Sequence, residues 1–242
     1  LLAVKRSARP VSADAAAGAD APSDWAKTEV ESAISQGLVP HDLQSSYQTP
    51  ITRQEFCRLA VTMVEVVEEK PVSQVIADRK LQTKENAFSD TQDDYAENAC
   101  ALGIVNGYED GTFRPDNNIT RAEFANILAN LLSQPAETSE SPFSDVKEGD
   151  WYYSAVTKLL AYGAVSEDET FRPSQNITRQ DAITMAGRAF CITSANDEVL
   201  DKFSDGDQVA AYAQASVAGF VEKGYLGGYP DGTLRPLANI TR

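Results

Sequence analysis

Four arginines hold the same local position in this chain. Arg53, Arg121, Arg179 and Arg242 each close an Ile-Thr-Arg triplet that begins at Ile51, Ile119, Ile177 and Ile240. A guanidinium is a planar fork of donors, shaped for the two oxygens of a carboxylate or phosphate. In three of the four settings an acid stands three residues after the threonine, as Thr52 with Glu55, Thr120 with Glu123 and Thr178 with Asp181. That is the spacing of a capping box, in which the threonine accepts from the third amide while the acid reaches back. Ile51 with Phe56 and Ile119 with Phe124 add the spacing of a hydrophobic staple. Capping accounts for the isoleucine, the threonine and the acid, at about 1 kcal/mol per helix.

It does not account for the arginine. At the first helical position a cation faces the positive end of the helix dipole, at a cost of roughly a few tenths of a kcal/mol. Two compensations are open. Free amides at the helix start and the guanidinium could converge on a ligand carboxylate or phosphate. Alternatively, each arginine could pair with an aspartate of a neighbouring copy, such as Asp90 or Asp145. Aromatic residues stand close by in sequence. Trp25, Tyr95, Trp151 and Tyr212 lie near the starts of short helices, and Tyr108 and Tyr229 each follow a glycine. Flat rings beside glycine-rich loops can stack on sugar faces or simply fill a core.

Other chemistries find little support. The single histidine, His41, follows Pro40 in a loop and has no partner at helical spacing for nucleophilic catalysis. Zinc ligands are too scarce. The Asp-Gly turns lack the spacing and terminal glutamate of a calcium loop. No cofactor and no catalytic activity are expected.

The elements that must position the arginines form a repeat. Its clearest copy runs from Phe88-Ser89-Asp90 through a helix near Tyr95 to Leu102. Gly103-Ile104-Val105-Asn106-Gly107-Tyr108-Glu109-Asp110-Gly111-Thr112-Phe113-Arg114-Pro115 follows, then Ile119-Thr120-Arg121 and a second helix to about Leu132. The last copy repeats this from Phe203 to Arg242, and the third from Phe143 with a shorter loop ending Thr170-Phe171-Arg172-Pro173. The first, from Ser23, is the most divergent. Apolar stripes at helical spacing mark the longer helices, for example Phe124, Ile127, Leu128, Leu131 and Leu132. A helix pair with one apolar face cannot bury it alone, so the copies must pack together. The expected organisation is a linker over 1–22, copies over 23–69, 88–133, 143–191 and 203–242, and a charged, weakly structured linker over 70–87.

The chain has 242 residues, 42% of them hydrophobic, and a net charge of −15. It can bury a real core, and its acidity excludes a general nucleic-acid binder, which needs a basic field. That charge suits a salty exterior. No run approaches the ~18 apolar residues of a membrane-crossing helix, so no membrane insertion is expected. Cys57, Cys100 and Cys191 are too few and scattered for a disulfide scaffold and are expected as buried thiols. Both ends of the chain read as cuts through a longer polypeptide.

Taken together, Phe-Ser-Asp, the aromatic-led helix, Gly-Tyr-x-Asp-Gly-Thr-Phe-Arg-Pro and Ile-Thr-Arg-Ala-Glu-Phe resemble the S-layer homology domains of bacterial surface proteins. The resemblance is close in copies two and four, partial in three and loose in one. It implies an all-α, pseudo-threefold spindle with very short β-bridges at most. It also implies non-covalent tethering to a secondary cell-wall polysaccharide of a Gram-positive-type wall, often one bearing pyruvylated N-acetylmannosamine. The glycan would lie in grooves between copies, gripped by the motif arginine with help from the glycine-rich loop and an aromatic. Carried over by match, the binding residues are Arg121, Glu123, Gly107, Gly111 and Tyr108 in copy two, Arg179 and Trp151 in copy three, and Arg242, Gly228, Gly232 and Tyr229 in copy four. Arg53 joins them by position, although its copy lacks the loop, which points it toward structure. Copy three has Ser166-Glu167-Asp168-Glu169 in place of the glycines, so weaker anion binding is expected there. The resulting expectation is an extracellular, non-enzymatic wall anchor. The alternatives are a surface-lattice module whose partners are other surface-layer protein copies, or the targeting region of a larger surface enzyme.

Overall fold

The computed structural model describes residues 21–83, 87–132, 140–166 and 168–241. Over these the chain is helical: α1 Lys27–Ser35, α2 Arg53–Glu68, α3 Val72–Asp78, α4 Asp94–Ala101, α5 Arg121–Leu131, α6 Tyr153–Ala161, α7 Arg179–Ala189 and α8 Ala211–Glu222. Strand character is confined to isolated bridges. The expectation of an all-α repeat protein holds.

The long helices start where the capping chemistry dictates. Thr52 and Thr120 each accept from the amide three residues on, and Glu55 and Glu123 return the bond to the threonine N–H, closing both capping boxes. Thr178 accepts from the Asp181 amide, but the shorter aspartate does not reach back, and its carboxylate points elsewhere. The staple isoleucines are buried, with Phe56 and Phe124 packed on the same cluster.

The bridges form a closed ring. Thr52 pairs with Asn118, Thr120 with Asn176, Thr178 with Asn239, and Thr241 returns to Pro50. All four triplet segments are therefore members, where the resemblance implies a spindle of three copies. The divergent first copy is not set apart, because Pro50 to Thr52 supply the last link.

Packing units are offset from sequence units. Each long helix packs most heavily on the short helix of the next copy: α2 on α4, α5 on α6 and α7 on α8. Three clusters follow, around Val61, Ala99 and Phe113, around Leu128, Leu159 and Phe171, and around Val217, Leu226 and Leu234. Lys158 on α6 reinforces one joint by donating to the carbonyls of Ala129 and Leu132 at the end of α5, at 2.8 and 2.5 Å.

Two expectations need correction. The stretch at 70–87 contains α3, which starts behind Pro71 and buries Val75 and Ile76 against α2 and α4. Its apolar residues at helical spacing drive the helix despite the surrounding charge. The thiols also differ from the expected uniform burial: Cys57 is buried and Cys100 half-buried, while Cys191 sits exposed just past α7. Residues 1–20, most of the linker after Leu132, and Arg242 lie outside the described residues.

Candidate functional site

The amides at the starts of α2, α5 and α7 are already occupied. Arg53 N–H donates to Asn117 O at 2.7 Å, Arg121 N–H to Gln175 O at 2.8 Å and Arg179 N–H to Ala238 O at 2.8 Å. The next amide in each helix donates to the carbonyl of Pro115, Pro173 or Pro236, and the third is taken by the cap. The anion site sketched from sequence therefore loses its free amides. Any grip on an anion rests on the guanidinium.

The three described arginines reach into the next copy in one manner. Arg53 Nε donates to Phe113 O at 2.8 Å, Arg121 Nε to Phe171 O at 2.9 Å and Arg179 Nε to Leu234 O at 3.0 Å. Each guanidinium also lies over an aromatic ring, those of Phe113, Phe171 and Tyr229 at 4.6, 5.1 and 4.9 Å. Such stacking orients the fork and eases its desolvation.

The far ends of the forks differ. Arg53 pairs with Glu123, the third residue of α5, and the two side chains are 2% and 1% exposed. Its remaining nitrogen donates to Asn106 O at 2.9 Å. Arg121 pairs with Asp181, the third residue of α7, at 2.8 Å, and the Tyr212 hydroxyl donates to the other oxygen of Asp181 at 2.7 Å. Burial and the Asp181 charge push that phenol up to about 12, so it stays a donor. Arg179 makes no ion pair among the described residues. Burial draws it below the ordinary arginine value, opposed by Tyr229, yet a guanidinium keeps its proton.

Arg179 opens on a cavity of about 180 Å³ bounded by Trp25, Tyr47, Ile183, Gly228 and Tyr229. Trp25, 37% exposed, donates its indole N–H to Gly228 O at 2.5 Å and packs against Gly227, where any β-carbon would overlap the side chain. A second cavity, of about 190 Å³, has Arg121, Asp181 and Tyr212 in its wall.

The loops bearing these residues are fixed by the aspartate of Phe-Ser-Asp. Asp90 accepts from the amides of Phe113 and Arg114, both at 2.7 Å. Asp145 does the same for Phe171 and Arg172, and Asp205 for Leu234 and Arg235. Burial works against the Asp90 charge, but the two amides prevail and hold it below the usual carboxylate range. These aspartates are loop clamps, not the partners of the first-position arginines. The residues that carry the second clamped amide, Arg114, Arg172 and Arg235, take left-handed backbone, with φ of 57, 60 and 52°.

Comparison with known proteins accounts for this repeated geometry. The S-layer homology domain matches residues 88–125, 142–183 and 202–242, half of the chain. The chain belongs to the S-layer homology domain family. It is 32% identical over 166 residues to an amylopullulanase of Thermoanaerobacterium thermosulfurigenes, covering 65% of this chain and 9% of that one. It is 36% identical over 154 residues to a cellulosome-anchoring protein of Acetivibrio thermocellus, covering 57% and 33%. A third relative, a surface-layer 125 kDa protein of Lysinibacillus sphaericus, is 34% identical over 146 residues, covering 58% and 12%. The chain thus spans a third or less of the length of these relatives. S-layer homology modules are cell-surface anchoring parts of longer chains, and the relatives with enzyme names carry the module as a small share of their length.

Within the S-layer homology frame the sequence-derived residues divide. Arg179, Gly228 and Tyr229 meet at the first cavity, and Arg121 lines the second. Arg53 and Glu123 are sealed from solvent against one another. Gly107 packs on the Phe88 ring, and Gly111 and Gly232 serve as exposed turn residues at φ of 76 and 79°. Tyr108 lies between the guanidinium groups of Arg53 and Arg114, at 5.0 and 3.9 Å. Trp151 is 38% exposed, stacks edge-on against Tyr152 and lines neither cavity described above. Trp25 does line the first cavity, though sequence reasoning left it among the generic aromatics. Its signal was the close match in position to Trp151, but only the ring closure brings copy one beside copy four.

Proposed function

We propose that this chain is a non-catalytic anchor holding a longer extracellular protein to an acidic cell-wall polysaccharide, with Arg179 as the principal grip. One observation carries the reading. An inter-copy cavity of about 180 Å³ brings the Arg179 guanidinium together with the rings of Trp25 and Tyr229. A carboxylate supplied by a ligand in this cavity would pair with the Arg179 fork. A pyruvyl ketal on a wall sugar presents such a group, and the rings of Trp25 and Tyr229 offer faces for the sugar itself. The net charge of −15 repels a polyanion at distance, so the attraction must act at contact. At physiological ionic strength the repulsion fades beyond about 8 Å, which leaves a local grip free to act.

The working units of the anchor are proposed as the copies over 23–69, 88–133, 143–191 and 203–242, joined through the bridge ring. The relative named as a cellulosome-anchoring protein supports anchoring as the role of the module. Sedimentation with purified walls tests the proposal. Wild-type chain should co-sediment, and removal of ketal-linked pyruvate from the walls should release most of it. Equal retention on treated and untreated walls would reject pyruvate recognition, and no retention on either would reject anchoring.

A further inference from the structure

Each joint between a long helix and the next short one closes on the same two positions. The first lies four residues after the motif arginine: Cys57 on α2, Ala125 on α5 and Ile183 on α7. The second lies three residues before the glycine that follows a short helix: Cys100 on α4, Leu160 on α6 and Val221 on α8. Those glycines, Gly103, Gly163 and Gly224, take left-handed backbone with φ of 70, 68 and 75°, so the short helices end in one register. In every joint the two positions belong to one apolar cluster, Cys57 with Cys100, Ala125 with Leu160 and Ile183 with Val221. Two joints fill the positions with hydrocarbon. The first fills both with thiols.

The surroundings of the two thiols differ. Cys57 is sealed in the core, whereas Cys100 is half-buried. They lie close enough that charge on Cys100 raises Cys57 further, and the Arg53 guanidinium acts on both. Burial pushes each thiol up, Cys57 the more strongly, with Arg53 opposing. At Cys100 a hydrogen bond from the Gly107 backbone also opposes burial, and the thiol is pushed up to about 11. The thiolate is the attacking species in disulfide exchange, so the more accessible and more acidic Cys100 reacts first.

We propose that Cys57 and Cys100 are a redox pair that closes to a disulfide across the first joint, cross-linking copy one to copy two. The oxidant is a disulfide of a small thiol. Cys100 gives its proton to solvent and attacks one oxidant sulfur, forming a mixed disulfide and releasing one thiolate. Cys57 then gives up its proton, attacks the Cys100 sulfur and expels the second thiolate. Both thiolates take up protons, so two electrons and two protons pass from the chain to the oxidant, which ends as two thiols. The closed loop contains α3 and joins α2 to α4, which already pack on one another. Such a link restricts the unfolded chain and reinforces the joint that holds Arg53 against Glu123. Closure is favoured outside the cell. That setting rests on the anchoring reading; the pairing itself does not.

Non-reducing peptide mapping of a Cys191→Ser chain tests this without any wall material, so its outcome is independent of anchoring. Serine removes the third, exposed thiol. Oxidised glutathione is the probe, applied to the folded chain in one arm and during refolding from urea in the other. A peptide pair joined through Cys57 and Cys100 is expected, with a melting temperature about 5–10 °C above that of the reduced chain. Cys57→Ala and Cys100→Ala should each abolish the joined peptides and the redox-dependent shift. On the folded chain, closure should quicken about tenfold per pH unit between about pH 7 and 9, as the Cys100 thiolate grows. A bridge formed only on refolding would support the pair and place closure before the joint packs. Two free thiols in both arms, or glutathione left on Cys100 without attack by Cys57, would overturn the pairing. A bridge that leaves the melting temperature unchanged or lowers it would overturn the reinforcement.

Discussion

Arg53, the first residue of α2, meets Glu123, the third residue of α5, across the joint between two copies. The same Glu123 accepts from the Thr120 N–H at 2.8 Å to close its own capping box. One carboxylate thus caps a helix and neutralises a buried cation from the preceding copy. Arg121 and Asp181 repeat the relationship one joint further on, and at the third joint Arg179 donates to Leu234 O.

Glu123→Gln should be the more damaging of two matched substitutions. It strands the Arg53 charge in a dry setting and weakens the cap, so a loss of about 3–5 kcal/mol is expected. Asp181→Asn leaves Arg121 with partial access to the second cavity and should lose less, about 1.5–3 kcal/mol. Urea unfolding followed by circular dichroism measures both. Equal losses would mean that burial does not set the strength of the joint.

The loop turns should loosen in acid, with a defined sign. Asp110 is held down to about 2 by hydrogen bonds from the Thr112 and Arg114 side chains, and Asp231 likewise by Thr233 and Arg235. Their unfolded values lie near 3.9. A folded value below the unfolded one gives stability that is complete above about pH 4 and lost as pH falls through about 2. Amide shifts of Thr112 and Thr233 should therefore titrate near pH 2. Asp110→Asn should flatten the Thr112 curve while leaving that of Thr233 unchanged. A midpoint near 4 for both would remove the proposed bonds.

Gly227→Ala should dislodge Trp25. The added methyl overlaps the indole, which must leave Gly228 O and move into solvent. Tryptophan fluorescence should shift to the red and wall retention should fall several-fold, with helical content unchanged. Unchanged emission would show that the ring contact is not maintained in solution.

Much of this architecture was legible in the chain. Periodicity gave the long helices, and the Thr-x-x-Glu spacing gave their starts to the residue, because capping is local chemistry among four neighbours. Anything that depended on which copies adjoin was not legible. Asp90 and Asp145 were possible arginine partners by charge alone, yet they clamp loop amides 23 to 27 residues away, while Glu123 and Asp181 take the arginines. The amides at the helix starts looked free for a ligand because no local residue claims them. Carbonyls at and just after the repeated Arg-Pro pairs of the next copy do so instead, as with Asn117 O on the Arg53 amide. Trp25 stood as one aromatic among several for the same reason: its partner Gly228 lies 203 residues on, and only the closed ring makes them neighbours. Copy three reads as a weakened binder from its lost glycines and added acids.

Calorimetry of purified wall polymer against the wild-type chain and Arg179→Gln tests the central claim most directly. The account predicts that the substitution weakens binding at least tenfold with an unchanged melting profile, and that stripping pyruvate from the polymer weakens wild type to the same level. Full-strength binding by a folded Arg179→Gln chain would contradict it.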